Sequence, residues 1–465
     1  MLDFFKKSPA SAPFQGTDAD IKKRYRRLQR STIISVTLGY SMYYVCRTTL
    51  NLVKKPILDG GLLDATQLGV ISSCLLFAYA IGKLISGFLA DHSNIKRFMA
   101  TGLLLSTIAN IVVGVIGFLT LQQTLVSMSL FYVIFAIMWA INGAAQSMGA
   151  PPCVVSLSRW FPLSRRGTFY GFWSLSHNLG EFFSFLLVGG LVSLFGWQFG
   201  FVGAAVAGGV GIIIVLLMLH DSPESKGLPP IAVYAGEEEP QKEEKKSVGG
   251  MQWQVVKNPY VWVLAFASAF MYVSRYAVNG WGVLFLQETK GFTLVDATLI
   301  ISINALLGVI GTVFSGWISD KLFHSNRYIL AVSSGVMEVI ALTLFAFGGN
   351  AMWMNILAMI LFGIAIGILI CFVGGLMAVD IVPREVSGAA LGIVGMASYA
   401  AAGLQDIVSG VLLDGNKTIE IVDGVEKSVY NFTPALLFWI AAASLSVLLV
   451  CIVWHKASKN KKKLN

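Results

Sequence analysis

Twelve apolar runs, each about 20 residues long, follow one another along this chain, and a run of that length fits a helix crossing the bilayer core. They fall at roughly 32–53, 67–90, 98–119, 126–150, 167–195, 198–220, 260–286, 297–319, 328–347, 352–379, 387–413 and 432–454. Hydrocarbon offers no partner to a bare backbone group, so only helices and closed barrels span it. These runs are continuous rather than alternating, which selects helices. Of the 465 residues 55% are hydrophobic and 13% charged, too few charges to cover a soluble body of this size. The chain reads as an all-α polytopic membrane protein.

Charge distribution orients it. With twelve crossings and both ends on one side, 26 of the 34 Lys and Arg fall on that side. Five fall on the other: Lys54, Lys55, Lys290, Lys417 and Lys427. The positive-inside rule then places both termini in the cytoplasm of an inner or plasma membrane. The net charge of +9 is therefore a topology signal, carried by "IKKRYRR" and "KNKKK" facing anionic headgroups, and no nucleic-acid partner is expected. Residues 1–31 lack an apolar core followed by a small-residue cleavage site, so no cleaved signal peptide is expected. Cys46, Cys74, Cys153, Cys371 and Cys451 lie in or beside apolar segments without C-x-x-C spacing and carry no redox or metal signal.

The longest hydrophilic stretch, 221–258, contains "DSPESKGLPP" and "GEEEPQKEEKK" and reads as a flexible cytoplasmic linker. It separates an N-terminal six-helix bundle, 1–220, from a C-terminal one, 259–465, that ends in a basic tail. The halves echo each other. "YVCRTTLN" (44–51) returns as "YVSRYAVN" (272–279), its arginine 228 residues on. "SGFLADHSNIKR" (86–97) returns as "SGWISDKLFHSNR" (315–327), its aspartate 229 residues on. Two motifs sharing one period argue for duplication with like topology, a plan that puts a transporter's substrate at the interface of its halves. The second motif falls in short cytoplasmic loops, where Asp91 with Arg97 and Asp320 with Arg327 can pair with a neighbouring helix end and gate the inner side, the alternative being a plain tight turn with solvated charges.

Three cations stand inside apolar runs. Arg47 and Arg275 each lie about 15 residues into a helix, roughly 22 Å deep, and Lys83 about 16 residues into the second. Such a charge costs about 2.5–3.5 kcal/mol at the bilayer centre on insertion scales. Lys83 can snorkel; the arginines cannot easily. Two acids, Glu181 and Asp406, stand against these three cations, leaving a positive surplus that a visiting anion would neutralise. A guanidinium offers planar, bidentate hydrogen bonds matched to phosphate or carboxylate. The alternative is a purely structural ion pair.

His177 in "WSLSHNLGE" can add a donor or a charge, with Glu181 four residues on along the same helical face. Tyr40, Tyr44, Tyr79, Tyr272 and Tyr399 lie near these charges and can present hydroxyls, as can Asn279 its amide. The chain has no Walker A loop, HExxH, GxSxG or Cys/His set with metal spacing. An ATP-driven pump is excluded, and neither a cofactor nor enzymatic catalysis is expected.

Several stretches resemble the organophosphate:phosphate antiporters of the major facilitator superfamily. They are "GYSMYYVCR", "AYAIGK", "QSMGAPPC", "RRGTFYGFWSLSHNLG", "DSPESKGLPP" and "MYVSR", spread along essentially the whole chain. The helix 5 block is most similar to the hexose-phosphate branch. The resemblance implies a major facilitator fold, twelve helices in two pseudo-symmetric six-helix bundles. It implies exchange of inorganic phosphate for a sugar phosphate or glycerol 3-phosphate, and since one chain contains a complete pathway a functional monomer is expected. Arg47 and Arg275 would be the phosphate ligands, with Lys83, His177, Tyr40, Tyr44, Tyr79, Tyr272 and Tyr399 at or near the site.

There are departures. Glu181 stands where the family commonly has a second glycine after "HNLG". Leu391 and Val394 stand where hexose-phosphate transporters carry Asp and Lys, while Asp406 lies deeper in the same helix. These departures fit a changed substrate or a changed role equally well. A relative of these carriers senses external sugar phosphate and signals to a membrane kinase. A third alternative is a proton symporter using Glu181 or Asp406.

Overall fold

The computed structural model describes residues 3–121, 127–236, 248–322, 327–382, 387–422 and 425–464. Eleven segments among them are long and apolar enough to cross a membrane. A further helix, α1 (Asp18–Asp59), has 42 residues but is diluted by tyrosines and cations, and it completes the twelve crossings. The second and third are α2 (Ala65–His92) and α3 (Ile95–Leu121). The fourth is broken into α4 (Met128–Gln146) and α5 (Ala150–Trp160), where Pro151 and Pro152 open the second piece. Next come α6 (Leu163–Phe195) and α7 (Trp197–Met218). After the short α8 (Ile231–Ala235) and α9 (Val248–Lys257) come α10 (Pro259–Glu288), α11 (Leu294–Leu322) and α12 (Arg327–Phe347). The tenth crossing, α13 (Met352–Cys371), passes through a π turn at Phe372–Leu376 into α14 (Met377–Asp380). The last two are α15 (Ser387–Gly415) and α16 (Thr433–Leu464).

Helix starts follow local chemistry. Thr17 and Asp20 exchange backbone-to-side-chain bonds at the head of α1, and Asp64 and Gln67 do so at the head of α2. Asn258 caps α10, with Pro259 in the first turn.

The chain divides into two compact units. One holds residues 1–49 and 78–244, the other 50–77 and 245–465. Within the second unit, the far part of α1 and the near part of α2 pack on the C-terminal helices. The Thr66 and Ala65 amides donate to Asp414, Ser73 donates to the Gly403 carbonyl, and Lys55 pairs with Glu288.

Three findings correct or extend the expectations above. Residues 221–236 are folded onto the first unit rather than forming part of a flexible linker. Asp221 gathers Arg159 at 2.7 Å and the amides of Ser8 and Ile95. Tyr25 stacks on Tyr234 and donates to the Pro229 carbonyl. Gly227 takes φ +72°, and a Cβ there would collide with the Ala12 carbonyl, so "SKG" needs its glycine.

Second, a hairpin joins α15 to α16. Lys417–Val422 pairs antiparallel with Val425–Tyr430, and the Asp423–Gly424 dipeptide with flanking alternation was the available signal. Third, Lys54, placed above on the outer side, is fully buried, because α1 continues to Asp59 and carries it onto the Trp281 ring. Lys290 is also buried, donating to Asn355 and to the Gly348 carbonyl. Burial lowers its pKa to about 8.

Candidate functional site

In the first unit, Arg47 lies on α1, 8% exposed. Its guanidinium carbon is 4.8 Å from the Tyr44 ring centroid and 5.3 Å from that of Tyr79. Lys83 is exposed, with its ammonium 5.9 Å from the same Tyr79 ring, so one tyrosine on α2 faces two cations. Tyrosine faces attract cations, so both side chains gain from this ring. Behind Tyr44, Tyr40 and His177 lie 5.0 Å apart, ring to ring, and Trp173 is 5.0 Å from His177. Nδ1 of His177 is 3.0 Å from the Ser174 carbonyl. Glu181 is buried one turn beyond. Arg47, Lys83, His177, Tyr40, Tyr44 and Tyr79 thus belong to one neighbourhood.

Small residues of the quoted motifs bring this neighbourhood together. A Cβ on Gly180, in "HNLGE", would meet the Ser41 carbonyl and Tyr44 Cβ at 2.6 Å, so α6 lies directly against α1. A Cβ on Gly149, in "QSMGAPPC", would strike Tyr40 at 2.8 Å. Amide side chains then fix α1 just before the arginine. Gln146 donates to the Tyr43 carbonyl at 2.9 Å, and Asn110 and Asn142 to the Cys46 carbonyl. Ser106 bonds to both Gln146 and Asn142. Sequence reasoning missed these braces, although polar residues inside an apolar run were the signal.

In the second unit, Arg275 lies on α10, 5.8 Å from the Tyr272 ring and 5.6 Å from that of Tyr276. Tyr399 on α15 packs edge-on against both rings. Asn279 accepts from Asn304 at 3.1 Å. Ser274, next to Arg275, bonds to the fully buried Glu338 on α12. Sequence reasoning also missed Tyr276 and Glu338.

Asp406 does not join that tyrosine group through any described contact. It accepts from the Trp281 indole at 2.8 Å. Lys54 stands on the Trp281 ring, Nζ 3.5 Å from its centroid, with no hydrogen bond of its own among the described residues. Gly280 leaves the space: a Cβ there would lie 3.3 Å from Asp406 Oδ1 and 3.7 Å from Lys54 Nζ. Among the described residues the charge inventory thus gains one buried acid (Glu338) and one buried cation (Lys54).

Of the expected gate residues, the side chains of Asp91 and Asp320 lie outside the described ones. Arg97 donates to the Phe4 carbonyl at 3.0 Å and sits over the Phe4 ring. Arg327 pairs with Asp380 at the end of α14. Among the described residues no group of His, Cys, Asp and Glu is placed to hold a metal ion.

Comparison with known proteins agrees with this architecture. Residues 36–405 match the Major Facilitator Superfamily profile. A "Probable hexose phosphate transport protein" of Chlamydia pneumoniae is 30% identical over 464 residues, covering 95% of this chain and 94% of that one. The "Membrane sensor protein UhpC" of Salmonella typhimurium is 31% identical over 416 residues, covering 87% and 89%. A bacterial homologue of the human lysosomal transporter Spinster was solved inward-facing and occupied. It superposes with a TM-score of 0.66 over 92% of this chain and 96% of that one at 15% identity, and so supports the fold. The chain belongs to the Major Facilitator Superfamily, as a non-enzymatic multi-pass membrane transporter of its organophosphate:phosphate antiporter family.

Proposed function

We propose that the protein exchanges a phosphorylated metabolite for inorganic phosphate by alternating access, with Arg47 and Arg275 as the phosphate ligands. One observation carries this reading: at matched positions of a duplicated motif, each half holds a membrane arginine against tyrosine faces. Lys83 and His177 supply further donors to the anion. Tyr40, Tyr44, Tyr79, Tyr272, Tyr399 and Asn279 line the pocket, Asp406 stands apart from them on the Trp281 indole, and Glu181 balances charge near His177. A phosphate bound by both arginines draws the two halves, 1–220 and 259–465, together. The empty carrier brings like charges together, so its reorientation is slow and exchange is tight without any ion gradient.

On this reading both termini are cytoplasmic, the loops of Asp91, Arg97, Asp320 and Arg327 form the inner gate, and the monomer is the working unit. The organic partner is a sugar phosphate such as glucose 6-phosphate, or glycerol 3-phosphate. Labelled-phosphate efflux from proteoliposomes, with and without external sugar phosphate, tests it. Efflux should accelerate many-fold with the external anion; equal rates in its absence would sink the coupling.

A second reading, a sensor of external sugar phosphate signalling to a membrane kinase, is favoured by the likeness to UhpC. It predicts binding of sugar phosphate without appreciable exchange.

A further inference from the structure

The face of α1 that precedes its membrane crossing is not simply a solvated basic run. Asp20, Lys23, Arg24, Arg27, Leu28 and Ser31 recur at helical spacing and line one cavity of about 630 Å³. Leu217, His220 and Lys226, at the end of α7 and just after it, form its opposite wall. Four permanent cations therefore face a single carboxylate. That carboxylate is already committed, since Asp20 accepts from the Thr17 amide and hydroxyl.

The cup is built, not incidental. Ser31 donates to the Met218 carbonyl at 2.7 Å, tying the two walls together. Arg24 donates to the Lys226 carbonyl and stacks on Phe14, 4.3 Å from its ring centroid. Leu217, 73% exposed, stands beside the end of the apolar span Trp197–Met218. A basic cup whose rim is an outward-facing leucine at the end of a membrane span presents both halves of one ligand's chemistry: a phosphate and an acyl chain.

We propose that this cup binds the headgroup phosphate of an anionic phospholipid, with an acyl chain lying along Leu217. Lys23, Arg27 and Lys226 contact the phosphate, while Arg24 and Ser31 hold the cup open. The lipid thereby staples the start of α1 to the segment that follows α7. The site is separate from the one proposed for transport and does not depend on it.

His220 makes the test independent of mutagenesis. Burial, then Lys226 and Lys96, lower its pKa to about 4, and an anion seated beside it offsets the two lysines. Purified protein in nanodiscs of phosphatidylcholine alone, or with one-third phosphatidylglycerol, is titrated by NMR of the labelled imidazole. The His220 titration should move up by about one unit with phosphatidylglycerol, as a nearby opposite charge does. Millimolar inorganic phosphate in phosphatidylcholine nanodiscs should leave it unchanged.

Retention of phosphatidylglycerol through detergent purification, read by native mass spectrometry, should fall about fivefold for each of Lys23→Gln and Arg27→Gln. Equal titration in both lipids, or undiminished retention by the double variant, overturns the proposal. An upward shift produced by inorganic phosphate alone reassigns the cup to a soluble anion and overturns the lipid.

Discussion

Arg47 and Arg275 descend from one repeated motif, yet their surroundings have little in common beyond tyrosine. Around Arg47, three amide side chains hold the preceding α1 carbonyls, glycines let α6 and the α4–α5 break close in, and a histidine completes an aromatic cluster. Around Arg275, three tyrosines pack on one another and a buried carboxyl bonds the neighbouring serine. The repeated motif keeps the arginine while its packing differs. The first arginine is set by close helix packing at glycines, the second by rings packed on one another. The two halves should therefore share the chemistry of their arginines and differ in tolerance to everything nearby.

The largest effect should be the one they share. Arg47→Lys and Arg275→Lys should each lower phosphate exchange about 30-fold or more, the worth of roughly 2 kcal/mol in a charge-assisted bidentate contact. A loss confined to one variant would break the equivalence of the two halves. Next comes packing. Gly180→Ala should destabilise the protein by about 1–3 kcal/mol, since its Cβ has no room. Gly280 lies about one and a half helical turns beyond Arg275 on α10 and faces Asp406 and Lys54 rather than the tyrosines. Gly280→Ala meets its neighbours only at 3.3 Å and should cost under about 1 kcal/mol. Thermal melts in detergent compare them directly, and equal losses would contradict the difference in room at these two glycines.

Glu338→Leu should change stability by less than about 1 kcal/mol, because it removes a buried oxygen with no hydrogen bond among the described residues, while Ser274 keeps its bond to the Met271 carbonyl. A collapse of the melting transition would give Glu338 a structural weight that this contrast does not predict.

The smallest effects separate the units by pH. His220 ionises near 6.5 when exposed and near 4 in place, so the folded state binds fewer protons between those values. Its contribution is present above pH 6.5 and is lost as pH falls towards 4. Lys290 ionises near 10.5 exposed and near 8 in place, so its burial penalty is full below pH 8 and relieved by pH 10.5. Stability should rise with pH in both windows, with His220→Gln flattening only the acid one. Melting temperatures across about pH 4–10 check the sign, and a His220→Gln profile identical to wild type in the acid window would remove that group.

Much of this was legible in the sequence because a charge inside an apolar run is rare and costly. Arg47, Arg275 and Lys83 could be found by that rule alone, and the motif repeat paired the arginines. Glu338 obeyed the same rule and was overlooked inside an otherwise uniform run. Lys54 was not legible, since it sits where a helix of ordinary length would already have left the membrane. Nor was the packing of 221–236, whose polar composition is that of a linker. Its order comes from Asp221 and Tyr25, whose partners lie far off along the chain and are connected to them by no local pattern.

α1 and α2 each belong to both units, changing allegiance at Thr49 and Phe77. A chain cut anywhere between 236 and 248 would be severed in covalent terms only. The fragment carrying residues 50–77 would stay clasped to its complement through Lys55 with Glu288, Thr66 with Asp414 and Ser73 with Gly403. Splitting the gene between 236 and 248 should therefore still yield partners that find each other.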